Sequence, residues 1–445
     1  MNWRSNSYLL SLSFAVFLLI IAFIGFQVER EDFTTLIVAF FLVFTIMIYW
    51  YKSHSFQEEK TIWALVIISR LILLFSVPLL SDDYFRFIWD GHIQVQGINP
   101  FEFLPGSIEV NTFLAEIYNG LNSKEYFSVY PPVMQFVFWL SSLIAGDNIA
   151  LNIIVLKGFL LIADLGLIYG VIRVLKMLGK KIKPVIFLAL NPLLIMEVVG
   201  NLHFESMMMC FTVWSIFLLI RWEKNKKHSF FILTAFVFSL GVLTKIVSLL
   251  LLPILIRKLG LKNSIYFGLM VLVFTVLAFL PFADPQVIQN FSNSLDLYFR
   301  KFEFNASIYF ITNGIYEKFV GWQEVKFVGP ALALTNVFVI LILSLRRKIT
   351  SWEMFFTTAM MVMTAHLLFS TTVHPWYIIN ILVLAVFTTK RYVVVWSFTV
   401  ILSYYFYQKL QIPFWLIAIE YCLFLGYLIY EAKFKTGDSP QLKGI

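Results

Sequence analysis

Apolar runs of about twenty residues, the length a helix needs to cross a hydrocarbon core, alternate with short polar breaks from residue 8 to residue 431. They predict helices over approximately 8–26, 32–50, 61–80, 149–175, 185–199, 203–220, 229–256, 263–282, 328–345, 353–372, 375–389, 391–407 and 413–431. The run 229–256 is interrupted at Thr244-Lys245, and 131–146 and 305–320 read as partial, re-entrant or surface helices. The expected count is about 11 to 14. A backbone inside lipid must satisfy its own hydrogen bonds, so the fold class is all-α, a polytopic transmembrane helical bundle. The runs leave no room for a soluble domain, and one membrane domain spanning 1–445 is expected. The first run is too long for a signal-peptide core and has no small-residue cleavage site, so it reads as a retained anchor.

Composition agrees: 60% of the 445 residues are hydrophobic and 13% charged, against roughly half and a quarter in soluble domains. Cys210 and Cys422 lie far apart inside apolar runs, which suggests neither a disulfide nor a metal site. The net charge of +8 is concentrated in KMLGKKIK, RWEKNKK, RKLGLK, RRK, KR and KFK. Basic turns of this kind mark the cytoplasmic side. The acidic or mixed stretches, VEREDF near residue 30, the long segment 81–130 and the segment 283–307, then face outward. Because the positive charge reports topology, nucleic acid is not an expected partner.

The chemistry is concentrated where apolar runs meet the outer side. SDDYFRFIWDGHIQVQGINPFEFLP sets Asp82 and Asp83 side by side at a helix exit, followed by Arg86, Trp89, Asp90 and His92. Adjacent carboxylates there repel each other and are costly to desolvate, which suits groups that take a proton or hold a cation. A plain alternative is a hydrophilic loop whose Asp caps a helix. Tyr130-Pro131-Pro132, with two prolines, stops an incoming helix. NPLLIMEVVGNLHFE carries His203 and Glu205, LTK carries Lys245, YFRKFEFNAS carries Arg300, Lys301 and Asn305, and HPWY carries His374, Trp376 and Tyr377. Each has an ordinary reading alone, as a helix start, a satisfied histidine or an aromatic belt. Level with one another in this topology, they predict a shared cavity at the outer interface. Arg86, Lys245, Arg300 and Lys301 suit a lipid phosphate there, the aromatics offer flat faces for a sugar or a polyprenyl chain, and a carboxylate can accept the proton of an attacking hydroxyl. Nucleotide sugars are not normally found outside the cell, so a lipid-linked donor is the consistent choice.

The order of these motifs, from SDDYFRFIWDGHIQVQGINPFEFLP through VYPP, NPLLIMEVVGNLHFES, LGVLTKIVSLLLLP and YFRKFEFNASIYF to HPWY, resembles the GT-C superfamily of integral membrane glycosyltransferases. It looks closest to the bacterial polyprenol-phosphate-mannose-dependent mannosyltransferases, over roughly residues 60–390. The resemblance implies a multi-pass enzyme of the cytoplasmic membrane, with its active site facing outward. Such an enzyme moves a hexose, with mannose expected, from a polyprenyl-phosphate donor to a glycan or glycolipid acceptor, with inversion. It implies an Asp general base in the first large outer loop, with Asp82 the first choice and Asp83 its partner. By position Arg86, Lys245, Arg300 and Lys301 would serve the donor phosphate. Trp89, Asp90, His92, Tyr130, His203, Glu205, Asn305, His374, Trp376 and Tyr377 would serve substrate binding. Glu205 stands where many relatives carry Asp, and the need for a divalent cation is open. The chain ends in the short tail KFKTGDSPQLKGI, so acceptor recognition is expected in the membrane part and its outer loops. Two rival readings are a lipid-linked-sugar transporter or flippase, and an O-antigen ligase or polymerase. No paired halves support the first, and the long outer loop falls early in the chain, where the second would have it late.

Overall fold

The computed structural model describes residues 3–53, 59–321 and 325–434. Helices dominate, and among the described residues the only β feature is one isolated bridge between Phe304 and Thr372. Among the described residues, eight helices are long and apolar enough to cross a membrane, or nine if the bent pair Lys183–Ala189 and Pro192–Gly200 forms one span. Three shorter apolar helices, Pro132–Ala145, His228–Val242 and Pro375–Ala385, add to them.

Several predicted runs divide where local chemistry dictates. The run over 185–199 bends by 44° at Asn191-Pro192. Asn191 caps the second half by accepting from the Leu193 backbone, and Pro192 takes the first-turn position where its missing N–H costs nothing. The run 229–256 ends its first helix at Val242, passes Lys245 in extended conformation, and resumes as a 3-10 turn and a helix to Leu259. That break brings Lys245 out of the helical ladder and toward the polar end of the bundle.

Buried polar groups tie the apolar helices together. Arg70, in the helix Glu59–Leu74, pairs with Asp164 in the helix Ile149–Met177 at 3.0 Å, and both are buried. Two turns earlier, Lys157 Nζ donates to the carbonyls of Leu73 and Ser76 at 2.9 and 2.7 Å and to Ser76 Oγ at 2.9 Å. An ammonium group thus closes the carbonyl end of the neighbouring helix, where orphan acceptors and the helix dipole favour a cation. Glu420 receives the Trp396 indole N–H at 2.9 Å and the Asn305 amide at 3.0 Å, so Asn305 is committed to a contact with the helix Phe414–Phe434.

Basic turns gather at one end. Lys180 meets Glu353 at 2.7 Å, Lys258 meets Glu223 at 3.1 Å, and the Ile349 N–H donates to the Arg257 carbonyl at 3.2 Å. At the other end, the amphipathic helix α1 (Asp83–Val95) packs on α2 (Pro132–Ala145). A Cβ at Gly91 would lie 2.2 Å from the Phe138 carbonyl oxygen, so only glycine permits this approach. Arg86 fixes the rest of the long loop over α1, meeting Asp90 at 2.7 Å and the carbonyls of Ser123 and Tyr126 at 3.0 and 2.9 Å.

Candidate active site

Asp82 occupies the N-cap position of α1, yet its side chain makes no capping hydrogen bond. Its carboxylate is turned instead to two other groups. Asn122 Nδ2 donates to Asp82 Oδ1 and to Asp83 Oδ1, each at 2.9 Å, and Arg30 Nη1 lies 3.1 Å from Asp82 Oδ2. Arg30 reaches across from the turn between the first two helices, its guanidinium resting over the Tyr407 ring at 5.1 Å.

Beside this pair, Lys245 Nζ meets Glu205 Oε1 at 2.5 Å and sits 5.9 Å from the centre of the Tyr377 ring. The charges of Lys245, Asp82 and Arg30 all act on Asp83, and those of Asp83 and Glu205 act on Tyr130. Burial raises the Asp83 carboxyl above its ordinary value, opposed by the Asn122 hydrogen bond, with the neighbouring Asp82 charge pushing the same way as burial. The same burial raises the Tyr130 hydroxyl, so it stays a protonated donor.

Aromatic rings wall the site in a stack. His203 lies on Trp376 at 3.6 Å, Trp376 on His374 at 4.3 Å, and His374 on Phe304 at 4.7 Å. The bridge at Phe304 positions the last two: the Phe304 N–H donates to the Thr371 carbonyl and the Val373 N–H to the Phe304 carbonyl, at 3.1 and 2.8 Å. Burial, with Lys245 nearby, pushes His374 down to about 3, so its imidazole is neutral. Glu197 Oε2 stands 3.3 Å from His203 Nε2 without hydrogen-bond alignment. Those two atoms face each other, while Glu205 Oε2 and His374 Nδ1 are buried and, among the described residues, have no hydrogen-bond partner. Buried polar atoms are ordinarily satisfied, and two orphans at one place are what a polar ligand would complete.

An apolar groove of about 640 Å³ opens nearby, lined by Ile98, Val133, Phe136, Trp139, Leu243 and Phe282 among others. Leu243 lies two residues before Lys245, and its carbonyl receives the Val133 N–H at 3.1 Å.

The structure brings together Asp82, Asp83, Tyr130, His203, Glu205, Lys245, His374, Trp376 and Tyr377. Arg86 and Asp90 are engaged in the packing of the long loop, Asp90 also accepting from Ser128 and Gln135 at 2.5 and 3.1 Å, and the charges of both act on Tyr130. His92 is bound to Ser142 and Asp147 at 3.0 and 3.2 Å, and Trp89 is buried beside Tyr118. Arg300 and Lys301 end the helix Pro285–Lys301, and their side chains lie outside the described residues. Sequence reasoning missed Arg30, Asn122 and Tyr407. Arg30 sits in the charged break VEREDF, whose mixed signs hid it, and neither of the others belongs to a motif. Among the described residues, no three or more His, Cys, Asp or Glu side chains are grouped to hold a metal. The carboxylates are met by Arg30 and Lys245, cations the chain itself supplies.

Taken together, fold and site define a multi-pass membrane protein with a carboxylate–lysine centre at the end of its bundle that carries the long loop. The model of the alpha-(1->6)-mannopyranosyltransferase family, N-terminal domain, matches residues 16–259, more than half of the chain, and the protein belongs to that family. It agrees with the mannosyltransferase resemblance carried by the motifs. Alpha-(1->6)-mannopyranosyltransferase A of Corynebacterium glutamicum is 21% identical over 151 residues, which cover 34% of this chain and 29% of that relative's length.

Proposed function

We propose that the protein is a hexosyltransferase that moves a mannosyl unit from a polyprenyl-phosphate donor to a hydroxyl of a glycan or glycolipid acceptor. The reaction proceeds with inversion, at the outer face of the cytoplasmic membrane. One observation carries the reading: within the segment matched by the mannosyltransferase family, two adjacent carboxylates, Lys245 and buried polar atoms without partners meet at the mouth of an apolar bundle.

In this scheme the donor's lipid chain lies against the apolar groove and its phosphate meets Lys245. A carboxylate of the Asp82–Asp83 pair takes the proton of the acceptor hydroxyl as that oxygen bonds to the anomeric carbon. The bond from that carbon to the phosphate oxygen breaks, and its electron pair leaves with polyprenyl phosphate. Lys245 offsets charge that grows on the leaving phosphate, an electrostatic contribution that a water-poor setting strengthens. The stacked rings of His203, Trp376 and His374 give the sugar a flat wall.

The test is transfer of radiolabelled mannose from synthetic polyprenyl-phosphate-mannose by purified protein in lipid. Membrane extract and octyl alpha-mannoside serve as acceptors, with Asp82→Asn and Asp83→Asn beside the wild type. Loss of a general base lowers turnover by about 100-fold or more. Wild-type transfer that survives in both variants would sink the mechanism, and no transfer by the wild type would sink the donor assignment.

A further inference from the structure

Asp82 and Asp83 are chemically identical neighbours, but their surroundings differ. Both oxygens of Asp82 are engaged, Oδ1 by Asn122 and Oδ2 by Arg30. Asp83 shares only the Asn122 amide through Oδ1, and among the described residues no hydrogen bond reaches its Oδ2. We propose that Arg30 and Asn122 divide the work between the two carboxylates: Arg30 engages Asp82 and fixes it in place, and Asn122 steadies Asp83 as the group that takes the acceptor proton. This rests on the transferase reading and assigns its base.

The charges around Asp83 come from every side. Asp82 and Glu205 oppose its ionisation or compete for the same cation, Lys245 and Arg30 favour it, and Tyr130 and Tyr407 feel its charge. Asn122 is unlike all of these because it donates directly to the ionised carboxylate, which a hydrogen bond stabilises over the neutral form. The proton balance is simple: Asp83 Oδ2 gains the acceptor's proton as the new glycosidic bond forms, and releases it to water after product leaves. Arg30 and Asn122 are thus positioning residues, acting through the carboxylates.

The experiment measures kcat/KM for polyprenyl-phosphate-mannose against pH, with octyl alpha-mannoside as acceptor, in wild type, Asn122→Ala, Arg30→Gln and Arg30→Lys. Asn122→Ala should move the acid limb upward by about one pH unit, about tenfold in activity on that limb. Arg30→Gln should lower kcat while moving the limb less than half as far, and Arg30→Lys should restore most of the loss. A larger limb shift in Arg30→Gln than in Asn122→Ala would assign the base to Asp82 and overturn the proposal. A second readout needs no turnover: pH-difference infrared spectra of the purified protein should show a protonated carboxyl band that Asp83→Asn abolishes and Asn122→Ala moves to higher pH. A band abolished by Asp82→Asn instead overturns the proposal. The expected band behaviour in a protein that transfers no mannose would remove the transferase reading alone.

Discussion

Lys245 and Glu205 form an ion pair at 2.5 Å, Lys245 in the break between two short helices and Glu205 buried at the head of the helix Glu205–Asn225. Removing one partner leaves the other as an uncompensated charge, which for a buried pair costs about 3–5 kcal/mol. Lys245 is a quarter exposed, so the loss from its side of the pair should fall below that range. Lys245→Met should lower the melting temperature in detergent more than Lys245→Met combined with Glu205→Gln, because the double variant leaves no orphan carboxylate. Both should lose donor binding, seen as a raised KM for polyprenyl-phosphate-mannose. A double variant less stable than either single would remove the pair from the energetics of the site.

The raised Asp83 carboxyl carries two linked pH predictions. For activity, the base must be ionised, so turnover should climb through a value above the ordinary carboxylate range as pH rises. For stability the sign runs the other way. A group whose folded pKa exceeds its unfolded one stabilises fully below the unfolded value, and this contribution is lost as pH rises through the folded one. Asp83→Asn should therefore flatten the fall in stability as pH rises above the ordinary carboxylate value, followed by thermal melts in detergent. An unchanged slope would mean that Asp83 ionises as readily in the folded protein as in the unfolded chain.

What the chain made legible follows from where its chemistry contrasts with its surroundings. Asp82-Asp83 stands out because two charges end an apolar run, and the basic turns stand out as clusters, which the pairing of Lys180 with Glu353 and Lys258 with Glu223 gathers at one end. The run over 185–199 reads as one helix although it contains Asn191-Pro192, and its 44° bend there depends on packing. Arg70, Lys157 and Asp164 were overlooked because each is a lone charge inside a run whose mean character stays apolar. Only the tertiary structure shows that each is matched across a helix interface. Asn122 lies in a polar loop without periodicity, and nothing local indicates that it faces the Asp pair across a separation of about forty residues.

Gly91 tests the contact that sets the angle of α1 on α2. Gly91→Ala places a methyl group 2.2 Å from a backbone oxygen that has no rotamer to yield. Overpacking of this kind costs roughly 1–3 kcal/mol, and a fixed carbonyl favours the upper part of that range. Gly158→Ala is the control, since nothing lies within 4 Å of its added carbon and alanine favours a helix interior. Melting in detergent should drop for Gly91→Ala and hold or rise for Gly158→Ala. Equal behaviour of the two would mean that α1 moves freely on α2.

Arg70 and Asp164 allow the cost of charge inside the bundle to be separated from the worth of the pair. Arg70 Nε meets Asp164 Oδ2 at 3.0 Å, while Arg70 Nη2 and Asp164 Oδ1 are buried and have no hydrogen-bond partner among the described residues. Half of the available fork geometry is therefore unused, and a bidentate arrangement, which makes such pairs strong, is absent. Desolvation then weighs heavily against the attraction. Arg70→Met and Asp164→Leu should each destabilise by about 3–5 kcal/mol, because each strands a charge. The double variant, apolar on both sides, should recover most of that loss, since it removes both desolvation penalties and the two orphan atoms. Reversible unfolding in mixed detergent micelles, read by tryptophan fluorescence, gives the cycle. Additive losses in the double variant would show that the two groups stabilise the bundle independently, leaving the 3.0 Å contact without energetic weight.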